Sequence, residues 1–417
     1  MGEHFDDRET RAPEIREKAT FDHLSKLLAR SFERLPVLRD WLGNPDPAAI
    51  DDRRALADLP VLRKPDLMEM QSANPPFGGL ADPDALKGNR VFMSPGPVWE
   101  PQGLGVDPWA SARALFAAGF RAGDRVHNSL AYHMTPGGFI LDEGARALGC
   151  LVFPAGIGNT EAQVDAASRL KPSGFTGTPD YLKAILEKAD EMDRDLSSIR
   201  HALVSGGALF PSLRQYYTDR AVNVLQCYAT ADLGVIAYES ADTLGAPHPG
   251  MIVNEEMIVE IVRPGTNDPV PDGEVGELVV TTLNPGYPLI RFGTGDLSAV
   301  LPGTSPCGRT SPRIKGWMGR ADQRTKVKGM FVDPKQIAEI LKAHPELDRA
   351  RLVVSRSGDA DLMTLLVEPA TGASPQSEKI EATLTAIAKL RGKVEIVAPA
   401  SLPNDGKVVA DERDYSA

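Results

Sequence analysis

"HALVSGGALFPSLRQYYTDRAVNVLQCYA", residues 201–229, decides the fold. A short apolar run, a Gly-Gly turn, a stretch of helical character and a second apolar run follow one another with little chain to spare. Strand, helix and strand in that order pack as a parallel β-α-β unit, with the helix crossing one face of the sheet. The alternation begins near residue 90, with "RVFMS", "PWASARALFAAGF", "RVHNSLAY", "GFILDEGARALG", "CLVFPAG", "EAQVDAASRL", "SGFTGTP" and "DYLKAILEKADEM" all preceding the quoted stretch. The expectation is an α/β protein whose large N-terminal domain is layered on a mainly parallel sheet.

Outward from this unit the texture changes. Residues 14–42 carry helical apolar spacing at Phe21, Leu24, Leu27, Leu28 and Phe32, which predicts an N-terminal helical layer. After Tyr238, "MIVEIVRPGTNDPVPDGEVGELVVTTL" reads as two period-two strands about a Pro-Asp-Gly turn, the pattern of an antiparallel hairpin. From Asp322 onward "KQIAEILKAH", "RARLVVSR", "LMTLLVE", "SEKIEATLTAIAKLRG" and "KVEIVA" describe a small α+β unit. Two domains are expected, 1–320 and 321–417. Their junction, "GRADQRTKVKGMFVDP", is charged and punctuated by glycine, and reads either as a hinge or as a solvated linker.

Composition narrows the function. At 417 residues the chain exceeds what one core usually holds. Apolar residues make up 42% and charged residues 25%, ordinary globular values. No apolar run approaches the ~18–20 residues of a membrane span. The first residues, "MGEHFDDRETRAPEIREKATFDHL", are charged and helical without the apolar core of a signal peptide, so a cytoplasmic location is the expectation. The net charge of −11 disfavours nucleic acid, although an anionic nucleotide still binds where amides and a few cations converge. The three cysteines, Cys150, Cys227 and Cys307, have no paired spacing and read as reduced thiols.

Four segments carry candidate chemistry, and each also has a plain structural explanation. In "YPLIRFGTGDLS", Asp296 follows a Gly-Thr-Gly turn, where a carboxylate can accept from two vicinal ribose hydroxyls; many such turns do nothing more. In the junction, Gly319, Arg320, Asp322, Lys326 and Gly329 combine charge with backbone freedom. In "LPNDGKVVADERDY", Lys407 follows a glycine and can carry a cation into a site elsewhere, or simply face solvent. In "LQCYATADLGV", Tyr228 and Asp232 end a strand at the usual ligand edge of a parallel sheet, or are a core aromatic and a turn aspartate.

The order of these segments resembles the adenylate-forming superfamily, and within it the phenylacetate-CoA ligase family. The resemblance runs through "AYHMTPGGFILDEGARALGCLVFPAGIGNTEAQ", "VSGGALFPSLRQ", "CYATADLG", "PDGEVGELVVTTL", "YPLIRFGTGDLS", "PCGRTSPRIKGWMGRADQRTKVKGMFVDPKQI" and "LPNDGKVVADERD". It implies activation of a carboxylic acid by ATP and Mg²⁺ as an acyl-adenylate, followed by thioester formation with CoA. By resemblance Lys407 is the catalytic lysine and Asp232 replaces the Mg²⁺-binding glutamate. Asp296 holds the ribose, Arg320 contacts ribose or phosphate, and Tyr228 lies beside adenine. Gly206, Gly207 and Ala208 shape the base pocket. Asp322 marks the hinge and Gly329 lines the CoA tunnel. The substrate pocket falls on Tyr132, His133, Pro136 and Gly137, with a flat aromatic acid favoured. The family leans toward a homodimer.

Three departures qualify this. The family's phosphate loop, Ser-Ser-Gly-Thr-Thr-Gly-Lys-Pro-Thr, is here "SPGPVWEPQ", residues 94–102, and retains only Ser94, Gly96 and Pro101. Pro95 and Pro97 each remove an amide donor, and Glu100 puts a negative charge where a lysine faces pyrophosphate. Ala231 stands where a hydroxyl normally meets the α-phosphate, with Thr230 next to it. Where relatives often carry extra Cys and His, this chain has Tyr238, Ser240, Ile252 and Ser305, leaving only Cys307, so no structural zinc is expected. The alternatives to a CoA ligase are an adenylating ligase with another acceptor and a non-catalytic nucleotide- or acyl-binding homologue.

Overall fold

The computed structural model describes residues 4–413 apart from 95–96, 208, 322, 324, 328–329 and 358–359. Gly96, Ala208, Asp322 and Gly329 therefore lie outside the described residues. The chain divides into two compact units. One comprises Met1–Val259, Val280–Phe292 and Leu301–Gly316; the other comprises Glu260–Val279, Gly293–Val300 and Trp317–Ala417.

The first unit is built on the predicted sheet. Its parallel strands, in spatial order Leu151–Pro154, Arg125–Asn128, Gly174–Gly177, His201–Val204 and Asn223–Thr230, are in continuous register. Helices Gly137–Ala147, Thr160–Leu170, Pro179–Glu191 and Pro211–Asp219 make the crossovers. Beyond Asn223–Thr230 the sheet turns antiparallel through Gly234–Tyr238, Met251–Val253 and Arg313–Ile314. Two cores form where the helices cover the sheet, one around Phe120, Leu141, Leu203 and Val235, the other around Phe175, Leu182, Val204 and Tyr217. The predicted N-terminal helix is two, Pro13–Arg34 and Pro36–Trp41, interrupted at Leu35. Pro36 lacks the N–H that an unbroken helix needs, and it restricts the residue before it.

The Pro-Asp-Gly hairpin is present as neighbouring strands Met257–Val262 and Gly276–Thr282. Every residue of both strands is buried. The period-two pattern predicts one solvated face, yet Glu260, Glu277, Thr281 and Thr282 are buried too. Polar side chains at those positions fit a buried sheet only when their groups are hydrogen-bonded; Thr281 Oγ1, for instance, accepts from Arg291 N at 2.9 Å.

In the second unit a four-stranded sheet, ordered Lys393–Ile396, Ala360–Pro369, Leu347–Ser357 and Val409–Asp411, is covered by helices Pro334–Ala343 and Ser377–Ala388. Ile337, Ile340, Leu352, Leu365, Ile380 and Leu384 fill its core. Asp333 caps the first helix, accepting from Lys335 N at 3.0 Å, with Pro334 at the first turn where a missing N–H costs nothing. Among the described residues no helix is long and apolar enough to cross a membrane.

Candidate active site

Parallel strands end at one edge of the sheet, and the loops leaving that edge hold most of the residues singled out in the first unit. After His201–Val204 come Ser205, Gly206 and Gly207. Gly206 has φ +73°, a backbone state that favours glycine. Gln226 Nε2 donates to Gly207 O at 3.3 Å, tying this loop to the next strand. Tyr228 and Thr230 lie at the end of Asn223–Thr230, with a register shift between Tyr228 and Ala229. Thr230 Oγ1 is buried and makes no hydrogen bond among the described residues.

Asp232 follows directly, its side chain only 1% exposed. Lys64 Nζ, from the start of helix Lys64–Ala73, lies 3.0 Å from Asp232 Oδ2 as an ion pair. Neither oxygen of Asp232 receives a conventional hydrogen bond among the described residues, and neither does Glu100 Oε2. Glu100 is 3% exposed. It sits on Val98–Pro101, which pairs antiparallel with Val91–Ser94 so that Phe92 faces Glu100 in register. The side chain turns inward, where Ser94 Oγ donates to Glu100 Oε1 at 2.6 Å. Glu100 was expected to present charge toward phosphate; instead it is interior.

Burial is the largest influence on Glu100, followed by the neighbouring Asp232 carboxylate; together they push its carboxyl up to about 8, against the Ser94 hydrogen bond and Lys64. The raised Glu100 carboxyl therefore keeps its proton beside the Asp232 carboxylate. Gln71 secures this strand by donating to Trp99 O at 2.7 Å and accepting from Trp99 N at 2.9 Å. Asp232 also lines a cleft of 340 Å³ with Asp107, Trp109, Asn254, Glu256 and Tyr287, within the range of small-molecule sites.

The buried Asp232 carboxylate tests whether Mg²⁺ suits the site. Hard oxygen donors from one or two carboxylates, completed by substrate phosphates, are the usual Mg²⁺ arrangement. Asp232 supplies one such carboxylate, with Lys64 against its Oδ2, whereas the protonated Glu100 supplies none. Among the described residues no group of three or more His, Cys, Asp or Glu is arranged to hold a metal by itself.

The segment expected to form the acid pocket leaves the strand Arg125–Asn128. Tyr132 OH accepts from Asn128 Nδ2 at 2.7 Å and donates to Asp142 Oδ2 at 2.8 Å, so its hydroxyl is committed to the fold and its ring serves as a wall. Phe139 meets that ring edge-on at 5.0 Å between centroids. Gly138 is required here, since a Cβ would lie 2.8 Å from the Tyr132 ring. Pro136 is buried, Gly137 is half-buried and His133 is exposed.

The second unit holds Asp296, Arg320 and Lys407. Asp296 is 8% exposed; its Oδ1 accepts from Arg320 Nη1 at 2.9 Å and from Trp317 Nε1 at 3.2 Å. Backbone bonds Leu297 N to Gly319 O at 2.8 Å and Ala321 N to Gly295 O at 2.7 Å zip the two segments together. Trp317, 56% exposed, was missed in the sequence, where nothing but one aromatic beside glycine marked it. Lys407 is exposed, with its N–H donating to Asp405 Oδ1 at 3.0 Å. The preceding Gly406 packs so closely on Val275 and Leu297 that a Cβ would come within 2.7 and 2.9 Å of them. Gln323 pins the same loop by donating to Gly406 O at 2.7 Å and accepting from Val409 N at 2.9 Å. The lysine loop therefore abuts the residue next to Asp296. Of the candidates, Ser94 and Asp232 meet around Glu100, whereas Asp296 and Arg320 meet around Trp317.

Residues 132–284 match the family described as AMP-binding enzyme. The chain is 32% identical to a phenylacetate-coenzyme A ligase of Aromatoleum evansii, over 76% of this chain and 74% of that one. It is 31% identical to the Pseudomonas putida phenylacetate-coenzyme A ligase, covering 87% and 84%. A solved 2-hydroxyisobutyryl-CoA ligase, bound to 2-HIB-AMP and CoA, superposes with a TM-score of 0.69 at 25% identity over 99% of this chain and 93% of that one. With its parallel sheet, strand-end carboxylates and this similarity over most of its length, the chain belongs to the phenylacetate-CoA ligase family of adenylate-forming enzymes.

Proposed function

We propose that the chain uses ATP to convert an aromatic carboxylic acid to its acyl-adenylate and then transfers the acyl group to CoA. In the first half-reaction a carboxylate oxygen attacks the α-phosphorus and pyrophosphate leaves. In the second, the CoA sulfur attacks the acyl carbon, the bond to AMP breaks, and the thiol proton passes to solvent. The Asp296–Arg320 pair carries this proposal: a buried carboxylate, fixed by a charged hydrogen bond in a chain of this family, is suited to the ribose hydroxyls.

Asp296 and Arg320 would hold the nucleoside, with Tyr228, Gly206, Gly207 and Ala208 around the base and Thr230 offering its hydroxyl to the α-phosphate. Lys407 would stabilise the charge that builds on the pentavalent phosphorus; single preorganised groups of this kind contribute roughly 3–4 kcal/mol. Asp232 would hold hydrated Mg²⁺, which when bound neutralises polyphosphate charge. Tyr132, Pro136 and Gly137 would form a flat acid slot with His133 at its rim. A hinge at Asp322 and a CoA-lining role for Gly329 belong to the same proposal.

A small aliphatic acid is the second candidate, favoured by the similarity to 2-hydroxyisobutyryl-CoA ligase. A panel of aryl and short hydroxy acids, assayed for pyrophosphate release with Mg-ATP in the presence and absence of CoA, tests both. Pyrophosphate release with an aryl acid, and AMP with an acyl-CoA product when CoA is present, is the expected outcome. Pyrophosphate release confined to short hydroxy acids, or an acyl product formed on an acceptor other than CoA, would replace it.

A further inference from the structure

The phosphate-loop position has lost its lysine, yet a lysine stands in the same pocket. Glu100 occupies the sequence position of the loop cation, but its side chain is buried and committed to Ser94 Oγ at 2.6 Å. That bond also uses the one loop hydroxyl retained at position 94. The cation comes from a different segment: Lys64, the first residue of helix Lys64–Ala73, reaches within 3.0 Å of Asp232 Oδ2. Its side chain is 34% exposed, whereas that of Asp232 is 1% exposed, so the ammonium sits at the mouth of the carboxyl pocket. We infer that Lys64 is the polyphosphate-binding cation of this chain, supplied by helix Lys64–Ala73 in place of the missing loop lysine. The inference rests on the nucleotide-dependent function proposed above.

The charges near this pocket explain why a cation is needed. Glu100 and Asp232 bring two buried acidic side chains into this pocket. An incoming pyrophosphate group would meet net repulsion from Asp232 unless a positive charge lay between them. Lys64 is the positive group that the structure places against Asp232. A lysine ammonium is a compact charge on a flexible stem, so it can turn from the carboxylate to a phosphate oxygen without moving the helix. The α-phosphate and nucleoside are assigned to other residues, so Lys64 should distinguish ATP and pyrophosphate from AMP.

The test measures binding to the full-length protein by isothermal titration calorimetry with AMP, with ATP in EDTA and with inorganic pyrophosphate. Lys64→Met should weaken ATP and pyrophosphate by about tenfold or more, the loss of one charged hydrogen bond, while AMP binding stays within about twofold. Lys64→Arg, which keeps the charge, should retain most of the pyrophosphate affinity and guards against a folding defect in Lys64→Met. Unchanged pyrophosphate binding in Lys64→Met overturns the inference, as does a parallel loss of AMP and ATP. If the wild-type protein binds none of the three, the nucleotide-dependent function falls, and the assignment of Lys64 falls with it.

Discussion

Replacing Glu100 with glutamine should make the protein more stable at alkaline pH and leave it nearly unchanged in acid. The Glu100 carboxyl is raised from its ordinary value near 4.5 to about 8, chiefly by burial and then by Asp232. The folded state therefore keeps a proton that the unfolded chain releases. Stability tied to that proton is fully present below about pH 4.5 and is lost as the pH rises through about 8. Each tenfold difference in proton affinity is worth about 1.4 kcal/mol, which caps the total at roughly 5 kcal/mol. Glutamine reproduces the protonated acid, since its carbonyl accepts from Ser94 and its amide donates toward Asp232, but it has no proton to lose. The assay is urea unfolding of wild type and Glu100→Gln at pH 5, 7 and 9, followed by tryptophan fluorescence. Trp41, Trp99 and Trp109 lie in the unit that contains Glu100 and Trp317 lies in the other, so three of the four tryptophans report on that unit. Subtracting the two curves cancels the titrating groups that do not interact with Glu100. The variant's advantage should grow steadily from pH 5 to 9. Parallel curves, or a variant less stable at every pH, would refute a protonated interior Glu100.

Lys407→Ala should abolish acyl-adenylate and pyrophosphate formation from acid and Mg-ATP while thioester formation from supplied acyl-adenylate largely survives; equal loss of both steps in a quenched-flow assay would contradict its assigned role. Asp296→Ala should raise the Kd for AMP roughly ten- to hundredfold, the loss of charged hydrogen bonds to ribose, and equilibrium dialysis showing unchanged affinity would remove it from the nucleoside site. Gly234→Ala should destabilise the first unit by about 3 kcal/mol or more. Its φ is +81° and a Cβ would lie 2.7 Å from Trp109 O, so an unchanged urea midpoint would show that the strand can shift to admit a methyl group.

Much of the fold was legible because its signals are local. The crossover strand-helix units from Arg125 to Thr230 declare themselves through apolar runs separated by helical spacing and glycine turns. Burial was less legible. The alternation in Met257–Val262 and Gly276–Thr282 marks a hairpin but does not say that Glu260, Glu277, Thr281 and Thr282 are interior. The nucleoside candidates were legible in part. Asp296 and Arg320 were found from their glycine-flanked motifs, whereas Trp317 had no motif and shows its place only through its hydrogen bond to Asp296.

The sequence by itself determined the alternation of elements, the family resemblance and the loss of the phosphate-loop lysine, since each is written in residues adjacent along the chain. Only the tertiary structure decided what that loss means. Lys64, Glu100 and Asp232 are far apart in sequence and belong to a helix, a hairpin and a strand end, so nothing in local spacing brings them together. Folding sets them in one pocket because a buried carboxyl must find a proton, a donor or a counter-ion, and that requirement is met in space, independent of order along the chain.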